Sequence, residues 1–125
     1  MRIVIYTSNS IQSDKLTKGL TDSFSETARI EPYDSMDELK RRLVSFSEIS
    51  ILVLYLHNSA YLKYLLDKKS LIASLKTLLI LPDSEPATVS SAHQLRPNYI
   101  GYKDESGLIK NILAVIDRMV LSRPK

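Results

Sequence analysis

The 125-residue sequence has no cysteine, no tryptophan and only three glycines. Without cysteine there is no disulfide, no thiolate zinc site, no iron–sulfur cluster and no cysteine nucleophile. Such a composition is compatible with a reducing compartment. Long apolar runs are missing as well. The longest, Ile51 to Leu56 and Leu78 to Leu81, fall far short of the ~20 residues that span a bilayer. The opening Met1-Arg2-Ile3-Val4-Ile5-Tyr6 is too short for a signal peptide and is followed by no small-residue cleavage site. A chain with no membrane segment, working in the cytoplasm, is expected. Charge excess is also slight: 17 Lys and Arg stand against 14 Asp and Glu, a net +3. The tight basic clusters are Lys40-Arg41-Arg42 and Lys68-Lys69, both on expected helix surfaces or ends. A nucleic-acid surface shows a denser basic stripe interleaved with aromatics, so nucleic-acid binding by this domain is not expected.

What is present is ordinary globular composition, with 44% hydrophobic and 25% charged residues. The length fits a single domain, residues 1–125, and suffices for a core without covalent staples. Apolar runs alternate with helical periodicity. Ile3 to Tyr6 reads as a first strand. Thr7-Ser8-Asn9-Ser10 follows as a polar loop in which Asn9 or Ser10 supplies a helix cap. Leu16, Leu20 and Phe24 recur four apart on one helical face, with Gly19 weakening that helix a little. Ala28 to Glu31 is a second, polar strand ended by Pro32, which argues for an edge position. Ser35 and Glu38 form a capping box, and Leu39, Leu43 and Phe46 continue the stripe of the second helix.

Ile49 to Leu56 is the strongest strand, nearly all apolar, as when helices cover both faces of a parallel sheet. His57-Asn58-Ser59 makes a turn. Tyr61, Leu62, Leu65 and Leu66 mark a third helix ending near Lys68-Lys69. Leu75 to Leu81 is a fourth strand, stopped by Pro82-Asp83. A weakly periodic fourth helix lies within Ser84 to Leu95, Tyr99 to Tyr102 is a fifth strand, and Leu108 to Val120 carries a long amphipathic fifth helix.

Five βα units imply an α/β fold with a parallel sheet and right-handed crossovers. Two strand orders compete. A Rossmann-type order beginning 3-2-1 puts strand three at an edge, exposing the most apolar segment of the chain. The flavodoxin-like order 2-1-3-4-5 puts the polar strands two and five there instead, and is the order expected: a three-layer (βα)5 sandwich. In such sheets ligands sit at the carboxyl ends of the strands, which here are Thr7 to Ser10, His57 to Ser59, Pro82 to Ser84 and Tyr102 to Asp104.

Over its whole length the chain resembles the receiver domain of bacterial response regulators. The most suggestive local piece is Leu95-Arg96-Pro97-Asn98-Tyr99-Ile100-Gly101-Tyr102-Lys103, which looks like the receiver's fifth-strand region leading into its lysine. The resemblance implies a two-component signalling scaffold. It also implies a set of chemical groups: an acidic pair after the first strand for Mg²⁺, which wants hard oxygen ligands, a phosphoacceptor Asp ending the third strand, a Ser or Thr ending the fourth, and a Lys ending the fifth. Here the first loop, Thr7-Ser8-Asn9-Ser10, holds no carboxylate, the third strand ends Tyr55-Leu56-His57-Asn58, and Pro82 stands where Ser or Thr is expected. Only Lys103 matches. The implied molecule is a degenerate receiver, a pseudo-receiver, without specific Mg²⁺ binding and without a cofactor.

Each remaining polar residue has a plain structural reading beside a functional one. His57 stands where a ligand or phosphoacceptor would, yet a His at a strand-to-loop junction is more often simply hydrogen-bonded. His93 is expected on the surface. Ser8, Asn9 and Ser10 resemble, faintly, the hydroxyl-rich phosphate loop of flavodoxins, but lack the glycine for close backbone approach, and helix capping explains them better. Asn58 belongs to a turn, as does Asp83. Lys103 finds an acceptor such as Asp83 or Asn9, or points into solvent. Tyr99 and Tyr102 face opposite sides of their strand, one packing inward and the other open for contact. Three classes of function follow. The first is a non-catalytic interaction domain working through protein partners, a homodimer included, on the face of the fourth helix, fifth strand and fifth helix. The second is a small-ligand, nucleotide-phosphate or flavin-phosphate module using Ser8, Asn9, Ser10, His57, Asn58, Asp83 and Lys103. An enzyme is the third and is not expected, because the strand ends offer one His and one isolated carboxylate.

Overall fold

Odd- and even-numbered residues of the strands part into two cores, one on each side of a single sheet. In the computed structural model, which describes residues 2–7, 11–44, 51–56, 58–72 and 75–121, the strands are β1 (Arg2–Tyr6), β2 (Arg29–Tyr33), β3 (Ile51–Tyr55), β4 (Lys76–Leu81) and β5 (Tyr99–Tyr102). The helices are α1 (Ile11–Phe24), α2 (Met36–Leu43), α3 (Ala60–Asp67), the short α4 (Lys69–Ile72), α5 (Pro86–Gln94) and α6 (Leu108–Leu121). All neighbouring strands run parallel, in the order β2-β1-β3-β4-β5 expected from their polarity. Every residue of β3 is buried, whereas the edge strands β2 and β5 are mostly half-exposed.

Ile3, Ile5, Val53, Tyr55, Leu78 and Ile80 face the first core, under α1 and α6, and meet Leu16, Leu20, Ile112 and Ile116. Val4, Tyr6, Leu52, Leu54, Leu79 and Leu81 face the second, and meet Leu39, Leu62, Leu65 and Ala92 from the other helices. This is the period-two alternation of strands covered on both faces. Among the described residues no helix is long and apolar enough to cross a membrane.

Local chemistry sets the boundaries. Ser35 caps α2 as expected, its Oγ accepting the Glu38 N–H at 3.4 Å. Phe46, read into the same stripe, and the first residues of the strand read over Ile49 to Leu56 lie outside the described residues. Pro86 starts α5, where its missing N–H costs nothing. Gly101 lets β5 approach α6 closely: a Cβ there would stand 2.9 Å from Leu108 Cδ1 and 3.1 Å from Tyr99 Cε2.

One sequence expectation needs correction. Pro32 does not end β2 but sits inside it, opposite Ile5. An edge strand pairs on one side only, so it tolerates a residue without an N–H. The third helix does end there as expected, at Asp67 with Lys68 as its C-cap. After Lys68 a separate turn of helix that the sequence did not reveal, α4, carries Ile72 into the second core.

One ion pair joins the edge strand to its helix. Arg42 on α2 is only 9% exposed. Its Nε and an Nη donate to the two Glu31 carboxylate oxygens at 2.8 and 3.2 Å. Tyr33 also donates to Glu31, at 3.3 Å, and Arg2 adds a looser pair at 3.6 Å.

Candidate functional site

The carboxyl ends of β1, β3, β4 and β5 converge on one end of the sheet. β1 ends at Tyr6, whose ring meets Tyr61 of α3 edge-on with centroids 6.0 Å apart. The next residue, Thr7, donates its backbone N–H to Tyr33 O at 2.9 Å. β3 runs into Leu56, fully buried, which extends the ladder by donating to Ile80 O at 3.0 Å. Ser8, Asn9, Ser10 and His57, which the sequence placed at this end, lie outside the described residues.

Asn58 is exposed and works as a cap: its Oδ1 accepts the Ala60 N–H at 2.9 Å, and its backbone oxygen accepts from Tyr61. Asp83 behaves similarly, accepting the Glu85 N–H at 3.0 Å. Of the acceptors the sequence offered Lys103, Asp83 forms no ion pair with it, and Asn9 lies outside the described residues. A carboxylate next to a turn takes the nearby backbone donor more readily than a distant flexible ammonium. Lys103 is half-buried, holds β5 to β4 through its backbone N–H to Leu81 O at 3.0 Å, and makes no ion pair among the described residues. Tyr99 packs into the first core and Tyr102 into the second, so the two do face opposite sides; both stay half-buried.

Beside Lys103 lies a cavity of about 260 Å³, lined by Lys15, Tyr55, Lys103, Glu105, Leu108 and Lys110 among others. Three ammonium groups thus face one carboxylate, and Glu105 is already engaged by Tyr99 Oη at 3.4 Å and Asn111 Nδ2 at 2.9 Å. Burial raises the Tyr55 hydroxyl above the ordinary tyrosine range. Burial and then the Glu105 charge do the same to Tyr99. Sequence reasoning found Lys103 but missed Lys15, Lys110 and Glu105. On a helix or a turn such residues read as solvated charge, and only the fold brings α1 and α6 together over Tyr55.

Two predictions concern this end. A half-exposed cation, paired or not, contributes ~0–1 kcal/mol, so Lys103→Ala should change the unfolding free energy in a denaturant melt by less than about 1 kcal/mol. Tyr6 is pushed up to about 12, first by burial and then by its hydrogen bond with Tyr61. Its neutral form is favoured by folding, so that contribution is complete below pH ~10, the unfolded tyrosine value. It is lost as pH rises through about 12. Tyr6→Phe should make the alkaline decline of stability over that window shallower than in the unmodified protein.

No protein-family model matches the chain, and no curated protein matches its sequence. Solved structures do match in shape. HP1043, an orphan response regulator of H. pylori, superposes with a TM-score of 0.72 at 17% identity, over 96% of each chain. An atypical orphan response regulator described as having a phosphorylation-independent regulatory mechanism gives 0.70 at 15%, over 100% of this chain and 99% of that one. A pilus assembly-related protein of Burkholderia pseudomallei gives 0.72 at 13%, over 100% and 92%. At such identities the likeness assigns the fold, and the fold is that of response-regulator receiver domains.

Proposed function

We propose that this chain is a non-catalytic signalling module that keeps the receiver scaffold and works through protein contacts without an aspartyl phosphate. The observation that carries this reading is the chemistry at the strand ends. β3 closes on the buried apolar Leu56, Pro82 follows β4, and no carboxylate stands among residues 7–10 or 55–58. A receiver-type aspartyl phosphate needs a carboxylate nucleophile at the end of the third strand and carboxylate ligands for Mg²⁺, and these positions provide neither. Support also comes from the similar fold of a regulator described as phosphorylation-independent.

The contact face in this reading is α5, β5 and α6, with half-buried Tyr99 and Tyr102 at its edge strand, and the partner is another protein or a second copy of this chain. Such a module works in the cytoplasm. The test is incubation with a small phosphodonor and Mg²⁺. The expected result is no acid-labile phosphate on the protein; aspartyl phosphate in stoichiometric amount would sink the reading.

The lysine-lined cavity favours a second reading, a module that binds a nucleotide or flavin phosphate at the strand ends, with Lys103 as one contact and the Ser8 to Ser10 loop and His57 as others. Binding to the folded state must raise stability. Thermal shifts at millimolar nucleotide or flavin mononucleotide decide it: stabilisation lost in Lys103→Ala supports it, and no shift counts against it.

A further inference from the structure

We propose that the groove between α4 and the end of α5 binds a small organic phosphate of nucleotide size. Both elements lead into strands, so the groove lies at the amino ends of β4 and β5, away from the strand-end site and independent of the function proposed above. It is an open groove of about 700 Å³ lined by the exposed Lys69, Ser70, His93, Gln94 and Arg96 and the buried Leu95. That volume falls within the range of small-molecule sites.

The lining is chemically one-sided. All five polar side chains can donate hydrogen bonds and none is a carboxylate. Among the described residues no carboxylate lies within 4.0 Å of Lys69 or Arg96. The nearest acid along the chain, Asp67, is exposed at the end of α3 and pairs with neither. Buried Leu95 supplies an apolar element, and the Gln94 amide can both donate to and accept from the uncharged part of a ligand.

The backbone adds an independent observation. Arg96 follows the C-cap Leu95 of α5 and has φ 53°, the left-handed conformation. Glycine is the usual occupant of that position because it adopts it without steric cost. An arginine held there carries strain, and its planar guanidinium is suited to bidentate recognition of a phosphate. Lys69 supplies a second charge from the facing side of the groove.

The experiment is isothermal titration calorimetry of the full chain with AMP, with citrate as a non-phosphate anion. It compares the unmodified protein with Arg96→Gly, Lys69→Gln and the remote charge control Lys40→Gln. Arg96→Gly removes the guanidinium while suiting the backbone, so its melting temperature should stay level or rise. Saturable AMP binding is expected, weakened roughly tenfold or more by Arg96→Gly and by Lys69→Gln but not by Lys40→Gln. No saturable AMP binding, equal weakening by Lys40→Gln, undiminished binding by Arg96→Gly, or citrate binding as tight as AMP would each overturn the proposal.

Discussion

Ile112→Ala is expected to cost roughly 2–5 kcal/mol of unfolding free energy, the range for large-to-small changes at fully packed sites. Ile112 and its neighbour one turn on, Ile116, are both completely buried. They press α6 onto the core formed by Ile3, Ile5, Val53 and Leu78. Removing three carbons there loses their transfer free energy and leaves a cavity that rigid strands cannot close. Ile116→Ala should fall in the same range. Guanidinium melts of both variants, beside Lys103→Ala, measure the contrast. Equal losses for the core and lysine variants would mean that α6 is not held by this packing.

Arg42→Met should be the next most damaging change, at roughly 1.5–3 kcal/mol, the contribution of hydrogen bonds to a charged group. Methionine keeps much of the apolar stem but leaves Glu31 without its bidentate partner. The pH dependence carries a second signature. The Arg42 hydrogen bonds hold the Glu31 carboxyl below its usual range, against an opposing effect of burial. A carboxyl depressed by folding gives stability that is complete above its unfolded value, ~4.3. That stability fades as pH falls through the lower folded value. The gap between the unmodified protein and Arg42→Met should therefore be widest near neutrality and narrow in acid. A constant gap across pH would place the loss in packing and not in the ion pair.

The fold was largely legible in the sequence because its signals are local and repeated. A fully apolar β3, with the polar β2 and β5 left for the edges, leaves one sensible order for the sheet, and Ser35 with Glu38 marks a helix start by hydrogen-bonding chemistry alone. The exceptions are positions where tertiary context decides. Pro32 ends a strand by local rules, yet on an edge it continues one. The short turn of α4, which places Ile72 in the second core, left no periodic signal in the sequence. The site was less legible. Lys103 could be found through a resemblance, but the cavity beside it is made by Lys15 and Lys110 from helices far apart in sequence. The groove at Arg96 was invisible for a different reason: nothing in Leu95-Arg96-Pro97 announces a positive φ on an arginine.

The proposed interaction reading rests on the lack of a carboxylate among residues 7–10 and 55–58. The most direct measurement is an amide NMR spectrum of the chain, recorded with Mg²⁺ before and after addition of beryllofluoride, which mimics a phosphoryl group on an aspartate. The proposal predicts an unchanged spectrum for β5 and the first turns of α6, because the sequence has no carboxylate at residues 7–10 or 55–58. Saturable shifts of Gly101, Tyr102 and Lys103 would contradict it, since they would show an occupied phosphoryl site coupled to the fifth-strand face.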